Sequence, residues 1–159
     1  MAGLIWTSLS DAVTFTKSTD ESTTKTILQV TAPTSQKVKI LRYGVFFNEE
    51  TGDATPAQPL LVKVGKSATG SGSSVTLYSI KPTTVTARSS SLKALASAAT
   101  LTSILDQQYV NAQTGYEVIF PLGQEIELDP SETISVNVTA GTTLSTGNLN
   151  CIAKIWFEE

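Results

Sequence analysis

Between Thr133 and Thr139 every second residue is a branched aliphatic: Ile134, Val136 and Val138 alternate with Ser135, Asn137 and Thr139. A helix turns successive side chains by about 100°, so it cannot gather that set on one face; an extended strand does. The alternation therefore predicts a strand with Ile134, Val136 and Val138 turned in and the polar three turned out. Asn148 to Phe157 repeats the pattern, with Leu149, Cys151, Ala153 and Ile155 against Ile152, Lys154 and Trp156. In Thr24 to Ala32, Thr26, Leu28 and Val30 oppose Ile27 and Gln29.

The longest such stretch is Lys37 to Asn48. Val38, Ile40, Arg42, Gly44 and Phe46 share one parity; Lys39, Leu41, Tyr43, Val45 and Phe47 share the other. Both parities are apolar at Phe46 and Phe47, which predicts that this end is covered on both sides, by a loop or by a partner chain. Shorter strands are expected at Leu60 to Val64, Val75 to Ile80, Tyr116 to Phe120 and Glu125 to Leu128. They are separated by the turn signals Pro33-Thr34-Ser35-Gln36, Pro121-Leu122-Gly123 and Asp129-Pro130-Ser131. Gly65 to Ser74 reads as a flexible hairpin tip, and Glu49 to Pro59 as a long surface loop.

One stretch breaks the rhythm. From Ser91 to Leu105, residues Leu92, Leu95, Ala96 and Ala99, and less regularly Leu101 and Leu105, fall near helical spacing, and Ser89 or Ser90 could cap the start. The expectation is one short helix near residues 91–105; the alternative is an extended crossover packed over a sheet. About eight strands with one such crossover suggest an all-β, antiparallel sandwich of jelly-roll type. Residues 21–159 read as a single domain. Residues 1–20 precede it as an N-terminal arm or as an edge strand of the same sandwich.

Composition agrees and excludes. The 159 residues include 24 threonines and 18 serines, and threonine favours a half-buried pleated surface. Histidine is absent, which removes the commonest general base and metal ligand. A single cysteine, Cys151, allows neither an internal disulfide nor a cysteine zinc site, and its strand parity places it in the core. A net charge of −3 is no footprint for nucleic acid. No run approaches a membrane span, and the first ten residues carry no secretory signal pattern, so a protein made in the cytoplasm is expected.

The chemical constellations are thin. Gly65-Lys66-Ser67 invites a phosphate-loop reading, but the preceding glycine that such a loop needs is replaced by Leu60. Glu125, Glu127 and Asp129 share one strand face, with Glu132 beside them. Calcium binding or acid–base hydrolysis could use them, but a solvated strand face opposite Ile126 and Leu128, which the alternation predicts anyway, is the reading expected. Serines lack a histidine base, and none of the nine lysines is singled out as a substitute. No enzyme activity and no cofactor or metal is expected. Most aromatic residues fall within strands; Tyr109, in QQYVNAQTG, is the one expected to be exposed.

The segments FPLGQEIELDPSETISVNVTAG and CIAKIWFEE, with VGKSATGSGSSVTLYSIKP leading into TTVTARSSS, resemble structural proteins of tailed-phage virions with jelly-roll folds. The resemblance spans roughly residues 37–159 and is one of pattern; it carries over no functional residue. It implies a capsid decoration (cement) protein on the outer surface of a virion head, often a trimer at threefold positions, with the major capsid protein as partner. On that reading Leu4, Ile5 and Trp6 of the arm, Phe46, Phe47 and Tyr109 are the candidate partner-interface residues. The Glu49 to Pro59 loop would contribute further contacts. The alternative is a carbohydrate-binding jelly roll, a viral fibre head or a free sugar-binding module.

Overall fold

Each stretch of strong alternation is extended in the computed structural model of the chain, which describes residues 3–16, 22–49, 59–111, 114–140 and 148–159. The described residues form thirteen strands and no helix. They are β1 (Ile5–Leu9), β2 (Val13–Thr16), β3 (Thr24–Thr31), β4 (Val38–Glu49), β5 (Leu60–Ser67), β6 (Ser73–Ser74), β7 (Tyr78–Ser79), β8 (Ser90–Lys93), β9 (Leu101–Val110), β10 (Tyr116–Ile119), β11 (Ile126–Leu128), β12 (Thr133–Thr139) and β13 (Asn148–Glu158). All pairings are antiparallel, in two sheets. The first runs β10-β4-β13-β1-β7, with β11 also on β4 and β2 also on β13; the second runs β6-β8-β3-β12-β5-β9.

Two positions in the first sheet are each filled by a broken strand. β13 pairs with β1 through Lys154 to Glu158 and with β2 through Asn148 to Cys151. At the break, the Ala153 N–H donates to Ser10 Oγ at 2.9 Å, so no donor is lost there. The residues read as an arm or edge strand thus include β1, which is held between β13 and β7. In the same way β10 and β11 share the other edge of β4.

The sheets close on one core. β13 alternates without exception, burying Leu149, Cys151, Ala153, Ile155 and Phe157. These meet Leu28, Val30, Val62, Val64, Ile134, Val136 and Val138 of the second sheet in a single cluster. Each large side chain so buried contributes about 1.5–3 kcal/mol. The parity expected for β4 holds only to Ile40. Phe157 pairs with Ile40 and Trp156 with Arg42, so Leu41 is an extra residue, a β-bulge. Beyond it the buried positions change to Tyr43 and Val45. A second bulge, at Ile27 of β3, lets Ile27 and Leu28 both be fully buried.

The helix expected near residues 91–105 is not formed. Ser90–Lys93 is β8, paired with β3, and Leu101–Val110 is β9, paired with β5. Between them Ala94 adopts a left-handed φ of 46°, and the backbone N–H groups of Ala94 and Leu95 donate to the carbonyls of Ile27 and Thr26 at 3.3 Å. Donors spent on β3 cannot build helical turns. The hairpin expected from Gly65 to Ile80 also differs. β5 continues through Ser67, and the returning segment leaves it: β6 joins β8, and β7 joins β1 in the other sheet.

Candidate interaction surface

Over β3 and β12 the outward face of the second sheet is polar and closed, whereas its edge strand β9 leaves Ile104 and Tyr109 exposed. Ser135 and Asn137 point away from the core, as the alternation requires, yet are only 0% and 5% exposed. Gln29 Nε2 donates to Ser135 Oγ at 2.7 Å, to Ser67 Oγ at 3.2 Å and to the Ala68 carbonyl at 3.1 Å; its Oε1 accepts from the Gly70 N–H at 2.9 Å. Thr26 and Asn137 hold the 94–100 segment from the same face. Gln29, Asn137, Thr26, Ser67 and Ser135 are therefore spent on fastening two straps across this sheet, and each pairing removes the penalty of a buried polar group.

The carboxylate groups are engaged as well. Lys37 Nζ lies 2.8 Å from Asp129 and 3.9 Å from Glu127; Lys39 is 3.9 Å from Glu127. The hydrogen bond from Lys37 holds the Asp129 carboxyl below its ordinary range. Glu132 accepts from Lys66 Nζ at 2.5 Å and from the Asp129 N–H at 2.8 Å. That places Lys66 in an extended strand, facing a carboxylate rather than a phosphate. Among the described residues no group of three or more His, Cys, Asp or Glu side chains converges as a metal site. Asp106 of β9 links the two sheets: Tyr43 and Tyr116 both donate to its Oδ2, the latter at 2.8 Å. Burial above all, then these hydrogen bonds, push the Tyr116 phenol up to about 12 and that of Tyr43 higher. At neutral pH both phenols are donors, and neither is a base.

The outward face of the first sheet is different in kind. Register places Tyr78, Thr7, Trp156, Arg42 and Ile119 side by side across β7, β1, β13, β4 and β10. At about 4.8 Å per strand the row is about 19 Å wide. Two residues along, Leu9, Lys154, Gly44 and Glu117 form the next row on the same face, followed by Ile152 and Phe46. Tyr78 is 62%, Ile119 65% and Leu9 51% exposed.

At its centre the face is rigidly packed. The Arg42 guanidinium carbon lies 3.0 Å from the Trp156 ring centroid. Lys154 Nζ donates to Glu117 Oε1 at 2.8 Å, and that bond, followed by the Lys154 and Arg42 charges, holds the Glu117 carboxyl below its usual range. Lys154 also lies 5.1 Å from the Phe46 centroid, and the Phe46 ring covers Gly44, where a Cβ would approach it to 2.9 Å. The centre of the face is thus an Arg–Trp stack beside a Lys–Glu pair, with exposed Tyr78, Leu9 and Ile119 around it.

Of the residues expected at an interface, Ile5 and Phe46 lie on this face. Trp6 is 4% exposed and belongs to the core, against which Leu4 and Phe47 also pack. Tyr109 is 70% exposed but stands on β9, the edge strand of the other sheet. The loop expected from Glu49 to Pro59 falls mostly outside the described residues. Sequence reasoning missed Arg42, Trp156, Tyr78 and Ile119. Trp156 had the outward parity of its strand and was discounted because aromatic residues in strands default to the core. No family model, curated protein or solved structure matches the chain.

Proposed function

We propose that this chain is a structural protein of a tailed-phage virion. On this reading it is a jelly-roll decoration protein on the outer capsid surface, binding the major capsid protein as a trimer that bridges adjacent capsomers. The observation that carries the reading is the outward face of the first sheet, whose exposed large apolar side chains are Tyr78, Ile119, Leu9 and Phe46. A face about 19 Å wide suits another protein surface, and it supplies part of one partner's share of a standard interface.

Strand order supports the fold assigned here. With β1 and β2 counted as one strand, β10 and β11 as another, and the short β6, β7 and β8 set aside, eight strands remain. The first sheet then runs six-three-eight-one and the second two-seven-four-five, the interleaving of a jelly roll. A protein that binds only the assembled shell stabilises it by mass action, and threefold symmetry repeats each contact.

Co-sedimentation with empty phage-type shells, with native mass spectrometry of the free protein, tests the reading. The wild type should pellet with shells and have a trimer's mass. The Tyr78→Asp, Ile119→Asp double variant should fold normally and stay in the supernatant. A wild type that ignores shells would overturn the assignment. The alternative, a carbohydrate-binding jelly roll, draws on the exposure of Tyr109; glycan-array binding lost in Tyr109→Ala would favour it. One ring face of Trp156 is already occupied by Arg42, which makes that residue a poor sugar platform.

A further inference from the structure

Where β3 turns into β4, a cavity of about 620 Å³ opens at the end of the sandwich. Its lining comes from four separate segments and includes Thr34, Ser35, Arg88, Ser90 and Ser131, with Pro33 as an apolar wall. None of these five polar side chains makes a hydrogen bond or ion pair to another described residue, and no carboxylate lines the cavity. Arg88, like Lys63 and Lys81, is thus a described cation without a carboxylate partner, and of the three it alone lines this cavity. Lys37, Lys39, Arg42, Lys66, Lys93 and Lys154 each have a carboxylate partner.

The cleft is also held in shape. The Arg88 N–H donates to Glu159 Oε1 at 2.7 Å; the Ser89 N–H and hydroxyl donate to Oε2 at 2.9 and 2.6 Å. The Glu159 carboxylate is thus taken up by the backbone behind Arg88. Opposite, Ser131 adopts a left-handed φ of 66°, and its N–H donates to the Pro33 carbonyl at 3.2 Å, which joins two lips of the cleft. A non-glycine residue in that region carries strain and is often found at binding sites.

We infer that this cleft binds a sugar acid, a small polyhydroxylated ligand bearing a carboxylate. A guanidinium offers two parallel N–H donors that match a carboxylate. Four hydroxyl groups, each both donor and acceptor, match ligand hydroxyls, and Pro33 can meet the C–H face of a ring. The volume lies within the range of small-molecule pockets. This inference does not depend on what the first sheet binds.

The test is a ¹⁵N NMR titration of the whole chain with glucuronate, glucose and acetate in turn, at constant ionic strength. Glucuronate should shift the amide signals of Thr34, Ser35, Ser90 and Ser131 saturably, with glucose and acetate each weaker by roughly tenfold or more. Arg88→Gln, whose side chain has no protein partner to lose, should keep the spectrum of the fold and weaken glucuronate binding by a similar factor. Three results overturn the inference: no saturable shift, binding unchanged in Arg88→Gln, or acetate binding as tightly as glucuronate.

Discussion

Thr26 Oγ1 donates to Asn137 Oδ1 across the β3–β12 pair at 2.7 Å, and together the two side chains capture Ala99. Thr26 Oγ1 accepts from the Ala99 N–H at 2.7 Å, and Asn137 Nδ2 donates to the Ala99 carbonyl at 2.8 Å. The pair takes the place of a neighbouring strand for one residue, which fastens the 94–100 segment where the spacing predicted a helix. Asn137→Ala removes a buried donor and leaves both the Ala99 carbonyl and the Thr26 hydroxyl short of a partner. A loss of about 2 kcal/mol is expected from urea unfolding, with an unchanged slope. A loss below about 0.5 kcal/mol would show that water replaces the asparagine without penalty.

Alkaline stability should follow the phenols of buried Tyr43 and half-buried Tyr116. Their values in the folded chain lie above the ordinary 10.0, Tyr116 at about 12 and Tyr43 beyond it. A raised folded value means that the stabilisation is complete below pH 10 and declines as pH rises through 12, because only the unfolded chain ionises in that window. Chemical denaturation at fixed pH steps should show a plateau below pH 10 and a fall above it. Tyr116→Phe should make the fall shallower, and a flat profile to pH 12 would contradict the hydrogen bonds of the two phenols to Asp106.

Gly65 lies in β5 opposite Ile104 of the edge strand. A Cβ there would sit inside the van der Waals radius of the Ser103 carbonyl oxygen, a backbone atom that cannot turn aside. Gly65→Ala should therefore lift part of β9 and cost about 2–3 kcal/mol, at the upper end for an overpacked site. Faster amide exchange confined to Leu101–Ile104 would locate the damage. Unchanged exchange would mean that the two strands can slide apart without loss.

Arg42 should be irreplaceable by lysine. Its guanidinium stacks flat on Trp156, and its NH1 lies 3.8 Å from Glu117. Arg42→Lys keeps the charge and loses the planar contact, so about 1 kcal/mol of stability should be lost, with a red shift in tryptophan emission. Full retention of both by lysine would show that charge alone holds the ring.

The strands with one dry face were legible, because burial leaves a period of two; β12 and β13 stand where Ile134–Val138 and Leu149–Ile155 placed them. β9 was not, since Thr102 to Leu105 and Gln107 to Tyr109 are exposed or nearly so and impose no rhythm. The bulge at Leu41 left no mark either: an extra residue shifts the parity of its own strand, and only the partner strand reveals it. Ser135 and Asn137 were placed on the correct face and assigned to water, although straps of small residues cover them. The interaction surface was half legible. Phe46 stood out by its neighbour, whereas Arg42, Tyr78 and Ile119 share a surface only through pairings between distant strands.

The hydroxyl and amide bonds that tie the 68–70 and 94–100 segments to the second sheet leave the two sides of the molecule unequal. A sandwich with both sheets bare could associate through either side and build stacks without limit. Here the middle of one sheet is already occupied by straps of the chain itself, whereas Leu9, Tyr78 and Ile119 of the other sheet stay open to whatever meets that side.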